Sequence, residues 1–491
     1  MQVRFLICTA ALTLSLSGGV QAARSLEQVR YALFQDSQAL VEEDLRHLAG
    51  RGDLAAMRLL GEVLISRSPS NAAQAITLFK QAFADGRGDI GALIPLARLV
   101  DYKPRLREAN RTYIRQALER FATGRDFIAV DTRLEVFLVY PELFEQAEVE
   151  RLIELYDRAC LIYCHAPLYR AVAAVHKGDR IDAEKWFQLA VESDARAVYR
   201  YYEFLGEERN PRFRAFATQL TPRMQALPVD LVHRIGQQLT NVRNSEISAY
   251  NNSRPENRAE TAEEVKARDL RAQAHTSLVE QLDREVLQWL DNAIERDFGP
   301  AMLSKAGFLM TAPDRYGPEP VEALIQRLEQ RQGENLTLSM AEREQPITPQ
   351  RIKALRASFH LVLWRTLDPL LSQRLIAELQ AEHYEEAVLL EGDLYSQGGL
   401  DEPDQDRALT LYMQEAQKGS ANALLRIARL YTYGRAICRD NAKAYTFAYA
   451  AHELGDQRAT DLMLALQSRI TLQQRDVATA AGNRLIEESA L

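Results

Sequence analysis

Glycine and proline are scarce in this chain, 23 and 17 among 491 residues. Tight β-turns lean on those two residues, so a turn-rich sandwich or barrel is a poor fit. Cysteine is nearly absent: Cys8, Cys160, Cys164 and Cys438 are the four. They form no Cys-x-x-Cys and no nearby histidine pattern completes a ligand set, so no zinc site is expected. Lysine and arginine form no long run and the formal net charge is −8. A nucleic-acid backbone is therefore not an expected partner. After the N-terminal segment, no apolar stretch reaches the roughly 20 residues that cross a bilayer, so no integral membrane span is expected.

Catalytic motifs are missing too. There is no Gly-x-Ser-x-Gly elbow and no Gly-Lys-Ser/Thr phosphate loop. His452 and Glu453 lack the second histidine of a zinc protease. Glu42 with Glu43, and Glu385 with Glu386, are adjacent and would point different ways on a helix, as solvated faces do. No catalytic residue, metal or cofactor is nominated, and a binding protein is expected rather than an enzyme.

What is present is helix-forming. Hydrophobic residues make up 47% and charged residues 26%, ordinary for a folded soluble protein. A single core rarely grows past about 250–300 residues, so several domains or a repeat array must account for the length. A repeat is visible near the C-terminus at an offset of 423 − 387 = 36. It pairs Ala387 with Ala423, Gly392 with Ala428, Leu394 with Leu430 and Tyr395 with Tyr431. The same register pairs Gly398 with Gly434, Asp404 with Asp440, Ala408 with Ala444, and Gly419 with Gly455. Ala, Leu and Tyr at helical spacing give the first helix of each unit one apolar face. The small residue at 392 or 428 lets the partner helix approach. Asp404 and Asp440 stand where a second helix starts, and Gly419 and Gly455 where it stops. One such hairpin cannot bury its own face, so neighbours must stack. Weaker copies occur around Ala56 and Ala92, which are also 36 apart.

This unit resembles the SEL-one-like repeat, a relative of the tetratricopeptide repeat. The resemblance implies an all-α, right-handed α-solenoid of helix–turn–helix units. It is good for 381–470; residues 265–380 look like diverged hairpins, and 23–240 form an N-terminal array. A polar stretch at 241–264 is expected as a linker or loop, and 471–491 as a capping helix or a tail. A second polar stretch, 330–349, carries the sequon-like Asn335 and Thr337. Tyr395 and Tyr431 are candidates both for docking and for sealing adjacent hairpins. Tyr199, Tyr201, Tyr202 and the tryptophans Trp186, Trp289 and Trp364 are read chiefly as repeat core, with exposed tyrosines as partner anchors the second reading.

The first residues read as a secretory signal at 1–22: Arg4, an apolar core from Phe5 to Leu16, and a small-residue cleavage site at Val20 to Ala22. Export permits a disulfide. Cys160 and Cys164 are poorly placed for one within an unbroken helix, but can bridge if a turn falls between them, leaving Cys438 free.

Export, helical repeats and a terminal helix together resemble the alginate K family of secretion scaffolds. Local matches are the segment Gly91 to Ala97, the paired cysteines after Arg158, and Thr471 to Arg475 near the end. The resemblance implies a non-catalytic periplasmic scaffold for an exopolysaccharide secretion complex. Its partners would be an outer-membrane porin and periplasmic subunits. That family carries a lipid on a cysteine after the signal core; Gly19 stands there in this chain and Cys8 lies inside the apolar core, so the expected place is the periplasm, with a lipid anchor at the outer membrane in doubt. Different classes of function remain open at this stage: a repeat adaptor in envelope signalling or stress, and a helical envelope hydrolase.

Overall fold

Aspartate and threonine placed just before apolar, alanine-rich runs set where helices begin. Asp53, Asp126, Asp179, Asp368, Asp404 and Asp440 each accept a hydrogen bond from a backbone N–H in the first turn of the helix that follows. Thr261 and Thr471 form reciprocal capping boxes with Glu264 and Gln474. The computed structural model describes residues 24–35, 39–68, 71–84, 88–120, 126–160, 164–253, 261–332, 342, 346–397, 402–433 and 438–489. The expected signal segment, Gly398, Gly434 and the sequon lie outside them.

Among the described residues there is no strand, and the chain is a succession of α-helices. They are α1 (Leu26–Gln35), α2 (Glu42–Gly50), α3 (Leu54–Arg67), α4 (Ala72–Phe83), α5 (Leu93–Val100), α6 (Pro104–Arg120), α7 (Phe127–Val139) and α8 (Gln146–Ala159). Then come α9 (Ala166–Lys177), α10 (Arg180–Val191), α11 (Arg196–Phe204), α12 (Arg209–Leu220), α13 (Val229–Ser253), α14 (Ala262–Glu295), α15 (Gly299–Met310) and α16 (Glu319–Gln332). The last eight are α17 (Pro349–Phe359), α18 (Pro369–Ala381), α19 (Ala387–Ser396), α20 (Gln405–Gln417), α21 (Ala421–Tyr433), α22 (Asn441–Glu453), α23 (Gln457–Gln467) and α24 (Leu472–Glu488). Packing is mainly between neighbours in sequence, as in a helical solenoid.

The repeat has a steric basis. A Cβ on Gly392 would fall into the ring of Tyr412, 2.8 Å from Cδ1 and 2.9 Å from Cζ. The pair is replaced in the next unit, 36 residues on, by Ala428 and Ala448, both fully buried. Gly-plus-Tyr gives way to Ala-plus-Ala, exchanging volume across the helix pair. Gly61 plays the same part in the N-terminal array, where its Cβ would lie 2.6 Å from Phe79 Cε1. Gly392→Leu is expected to destabilise the fold by about 1–3 kcal/mol through overpacking. Urea unfolding monitored by circular dichroism measures it; an unchanged midpoint would remove the steric explanation.

Two expectations change. Of the expected linker or loop at 241–264, residues 241–253 and 262–264 are helical, and 254–260 lie outside the described residues. α13 runs on to Ser253 and α14 starts at Ala262, and the two pack as a hairpin. One core runs through Leu239 and Val242 into Leu282 and Val286. Arg243 and Asp283 form a buried ion pair at 2.9 Å, and Tyr250 stacks on His275. The polar composition belongs to the solvent faces of two long helices. Second, the regular 36-residue register begins one unit earlier than the sequence shows. Helices α18, α20 and α22 have the same length and start 36 apart, behind caps Asp368, Asp404 and Asp440.

Cys160 ends α8 and is disulfide-bonded to Cys164, just before α9, with Cα atoms 5.8 Å apart. Cys438 is free and exposed. With residues 1–22 absent, thiol titration of denatured, unreduced protein should give one thiol; three would contradict the bridge.

Candidate functional site

The solenoid curls back on itself. The turn between α22 and α23 reaches the start of α6: a Cβ on Gly455 would lie 2.6 Å from Lys103 Cγ and 3.2 Å from the Tyr102 carbonyl. Gly455 also has φ +94, so glycine is required there twice over. Arg105 reaches Glu487 and Asn483 of α24. Arg209 binds Asp461 of α23 at 2.6 Å, across 252 residues of sequence. α23 packs on α13. The exposed Arg105 pair adds little energy, whereas the close packing at Gly455 and the half-buried Arg209–Asp461 pair define the closure.

Three cavities meet at the N-terminus of α23, and Gln457 lines all three. The largest, about 890 Å³, lies between α6 and the inter-repeat turns; Ala387, Gly419 and Gly455 are on its wall. A side-chain ladder crosses it. Glu386 accepts from Asn422, and Asn422 accepts from Arg458, three residues spaced at 36. A second cavity, about 400 Å³ and open to solvent, is lined by α11, α13, α21 and α23. Its charged residues are Arg209, Arg243, Arg429 and Arg458 against Glu203 and Asp461, an excess of cations in an acidic chain. A third, about 320 Å³, opens beside Arg98, Arg196, Arg200 and Glu135.

The electrostatics of this face are mostly self-satisfied. Glu135, 3% exposed, accepts from Arg196, Arg98 and the Tyr169 hydroxyl. Burial opposes its ionisation, but Arg196 and Arg98 outweigh burial and hold the carboxyl down at about 2. Asp194, bound by Arg196 and His165, is likewise held well below the usual carboxylate range despite its burial. Arg429 differs: no ion pair or hydrogen bond to it is found among the described residues, and it is solvent-accessible inside the second cavity. Partial desolvation by the surrounding helices, then Arg458, pushes its guanidinium pKa down.

The remaining sequence candidates are placed as follows. Gly392, Leu394, Ala408, Ala423, Ala428 and Ala444 are buried between helices. Leu430 is half-buried. Tyr395 is half-buried under Arg407 at 3.9 Å, and Tyr431 stacks on Phe447 at 5.9 Å, each within its own hairpin. Neither lines a cavity described above. Tyr201, Tyr202 and Trp289 are buried, Trp186 lies under Arg170, and Trp364 donates to the Pro313 carbonyl. Tyr199 and Tyr202 reach the second cavity. Sequence reading missed Tyr433, 63% exposed on the wall of that cavity, and missed Arg429 and Gln238 beside it. Nothing in a 36-residue offset marks them, because they belong to a face made by chain closure. Among the described residues, no cluster of three His, Cys, Asp or Glu side chains is arranged to hold a metal, and no helix is long and apolar enough to cross a membrane.

No protein-family model and no curated protein matches the chain. Among solved structures it is similar to a protective antigen of uropathogenic Escherichia coli that displays an SLR fold. Identity is 15% over 92% of this chain and 96% of that one, with a TM-score of 0.25. It is also similar to a Sel1 repeat protein from Oxalobacter formigenes, 15% identical over 88% of this chain and 92% of that one, TM-score 0.25. A circular tandem repeat protein gives 14% identity over 94% and 95%, TM-score 0.18. Likenesses of this size carry no functional argument; the solenoid rests on the helix pairing itself.

Proposed function

We propose that the protein is a non-catalytic scaffold that holds other proteins together in the bacterial cell envelope, within an exopolysaccharide secretion complex of the alginate type. The observation that carries the binding reading is the closed helical array with a polar, arginine-rich inner face, built from turns of both chain halves. Such a face offers shape and hydrogen-bonding groups, while Glu135, Asp456 and Asp461 are each tied to an arginine and placed as structural partners rather than as an acid/base pair. The signal-like first residues, and the resemblance at Gly91 to Ala97 and Thr471 to Arg475, support the envelope and secretion setting. An outer-membrane porin and periplasmic subunits are the partners this reading names.

The test is deletion of the gene with assay of secreted polysaccharide, together with cross-linked pull-down of the tagged protein from envelope extracts. Loss of secretion with recovery of a porin or a periplasmic secretion subunit supports the scaffold. Normal secretion with neither partner recovered rejects it and leaves an adaptor in envelope signalling.

A further inference from the structure

We propose that the cavity between α11, α13, α21 and α23 binds an extended acidic segment of a partner protein, with Arg429 taking a carboxylate and Gln238 a backbone carbonyl. The proposal deepens the scaffold reading and rests on it. Arg429 stands free of ion pairs and hydrogen bonds among the described residues, whereas the other three arginines of the cavity are engaged, Arg209 by Asp461, Arg243 by Asp283 and Arg458 by Asp456. An arginine left open in a walled cavity is a ready fork for a carboxylate, with two parallel N–H donors. Gln238 is the second, independent observation. It is 3% exposed, lines the same cavity, and its Nε2 has no hydrogen-bond partner among the described residues. A buried amide donor without an acceptor costs about 1–3 kcal/mol, so a ligand that supplies one binds with that gain.

The wall argues for a peptide. α13 presents Asn241, Asn244, Ser245, Ser248 and Asn251 along the cavity, a stripe at helical spacing. An asparagine side chain is itself an amide and can pair with the N–H and C=O of an extended backbone at once. Tyr433, 63% exposed at the same wall, adds a rigid amphipathic surface for a side chain of the partner. About 400 Å³ is within the range of specific ligand sites. The local charge is positive although the chain as a whole carries −8, which sets the sign of the partner segment.

The probe is a phage-displayed library of random dodecapeptides panned against the full chain, with the winning peptides synthesised and measured by fluorescence anisotropy. The expected winners are rich in Asp and Glu, and their affinity falls about 10–100-fold with Arg429→Gln, the loss of one charge-assisted contact. Arg429 makes no ion pair or hydrogen bond among the described residues, so the variant should keep the wild-type melting temperature; Arg327→Gln, at a site remote from the cavity, should leave binding unchanged. Gln238→Leu should weaken the same peptides while retaining helix content. No winners, winners without acidic residues, or acidic winners indifferent to both cavity variants overturn the proposal. A polyuronate oligomer that binds in an Arg429-dependent manner where acidic peptides do not also overturns it, in favour of an acidic sugar. If Arg429→Gln still recovers the envelope partners in cross-linked pull-down, the scaffold stands and this site falls; if the wild type recovers none, the scaffold itself falls.

Discussion

Glu135→Ala should destabilise the protein by about 2–4 kcal/mol, because it removes the shared acceptor of a buried network. Glu135 receives Arg196 at 2.9 Å, Arg98 at 2.9 Å and the Tyr169 hydroxyl at 2.8 Å, from three different helices. Without it the Tyr169 hydroxyl is stranded in the core, and Arg196 keeps only Asp194. Arg98 and Arg196 retain partial access to water, which places the cost below that of a fully enclosed pair. Glu135→Gln keeps the shape and an acceptor for Tyr169, so it should cost less. Urea denaturation at neutral pH orders the two; equal and negligible losses would mean that the network contributes nothing.

Acidification should cost more than the loss of either group alone. His233 is buried and its Nε2 meets the Ser304 hydroxyl at 2.8 Å. Burial, then Arg234, pushes its pKa down to about 3, so the folded protein keeps it neutral. An unfolded chain takes up a proton near pH 6.5, and stability therefore falls as pH drops from about 6.5 towards 3. At pH 4 this one group accounts for a loss on the order of 3 kcal/mol. Glu135 acts in the same direction lower down. Its folded pKa of about 2 lies under the unfolded value, so its contribution is present above about 4.5 and disappears as pH falls through that window. Unfolding free energy followed from pH 7 to 4 should decline steeply in the wild type. His233→Gln should flatten the upper part of that decline; an unchanged slope between pH 6.5 and 5 would show that His233 is not held neutral.

The repeat was legible wherever small residues recorded it. Gly392, Gly419 and Gly455 sit where a close approach or a positive φ demands glycine, and the offset of 36 followed from them. The preceding unit escaped notice because its side chains break the pattern while its backbone keeps it. Asp368 caps α18 as Asp404 caps α20, Ser372 takes the buried place of Ala408, and His383 adopts φ +56 where Gly419 has +86. The polar residues at 241–253 misled for the opposite reason. Asparagine and serine suggest a loop by composition, but here they coat helices whose inner faces carry Leu239, Val242 and Leu282. Polar caps left clear traces, since Asp404 and Asp440 do bind the first-turn N–H groups. The cavities left none. Arg209 and Asp461, or Lys103 and Gly455, meet only through the curvature summed over the hairpins between them. Curvature of that kind is a tertiary property that no single repeat encodes.

Closure of the array on itself creates the inner face, and a pair of engineered thiols tests it directly. In a Cys438→Ser background, Arg105→Cys and Glu487→Cys place two thiols where an exposed ion pair of 3.1 Å now joins α6 to α24, leaving the Arg209–Asp461 pair intact. Dilute native protein treated with a short bis-maleimide, then digested and mass-mapped, should show an intramolecular link between positions 105 and 487. The same protein in urea should show little. Absence of the intramolecular link in the native state, with both thiols reactive, would mean that the solenoid is open and that the proposed inner face does not exist.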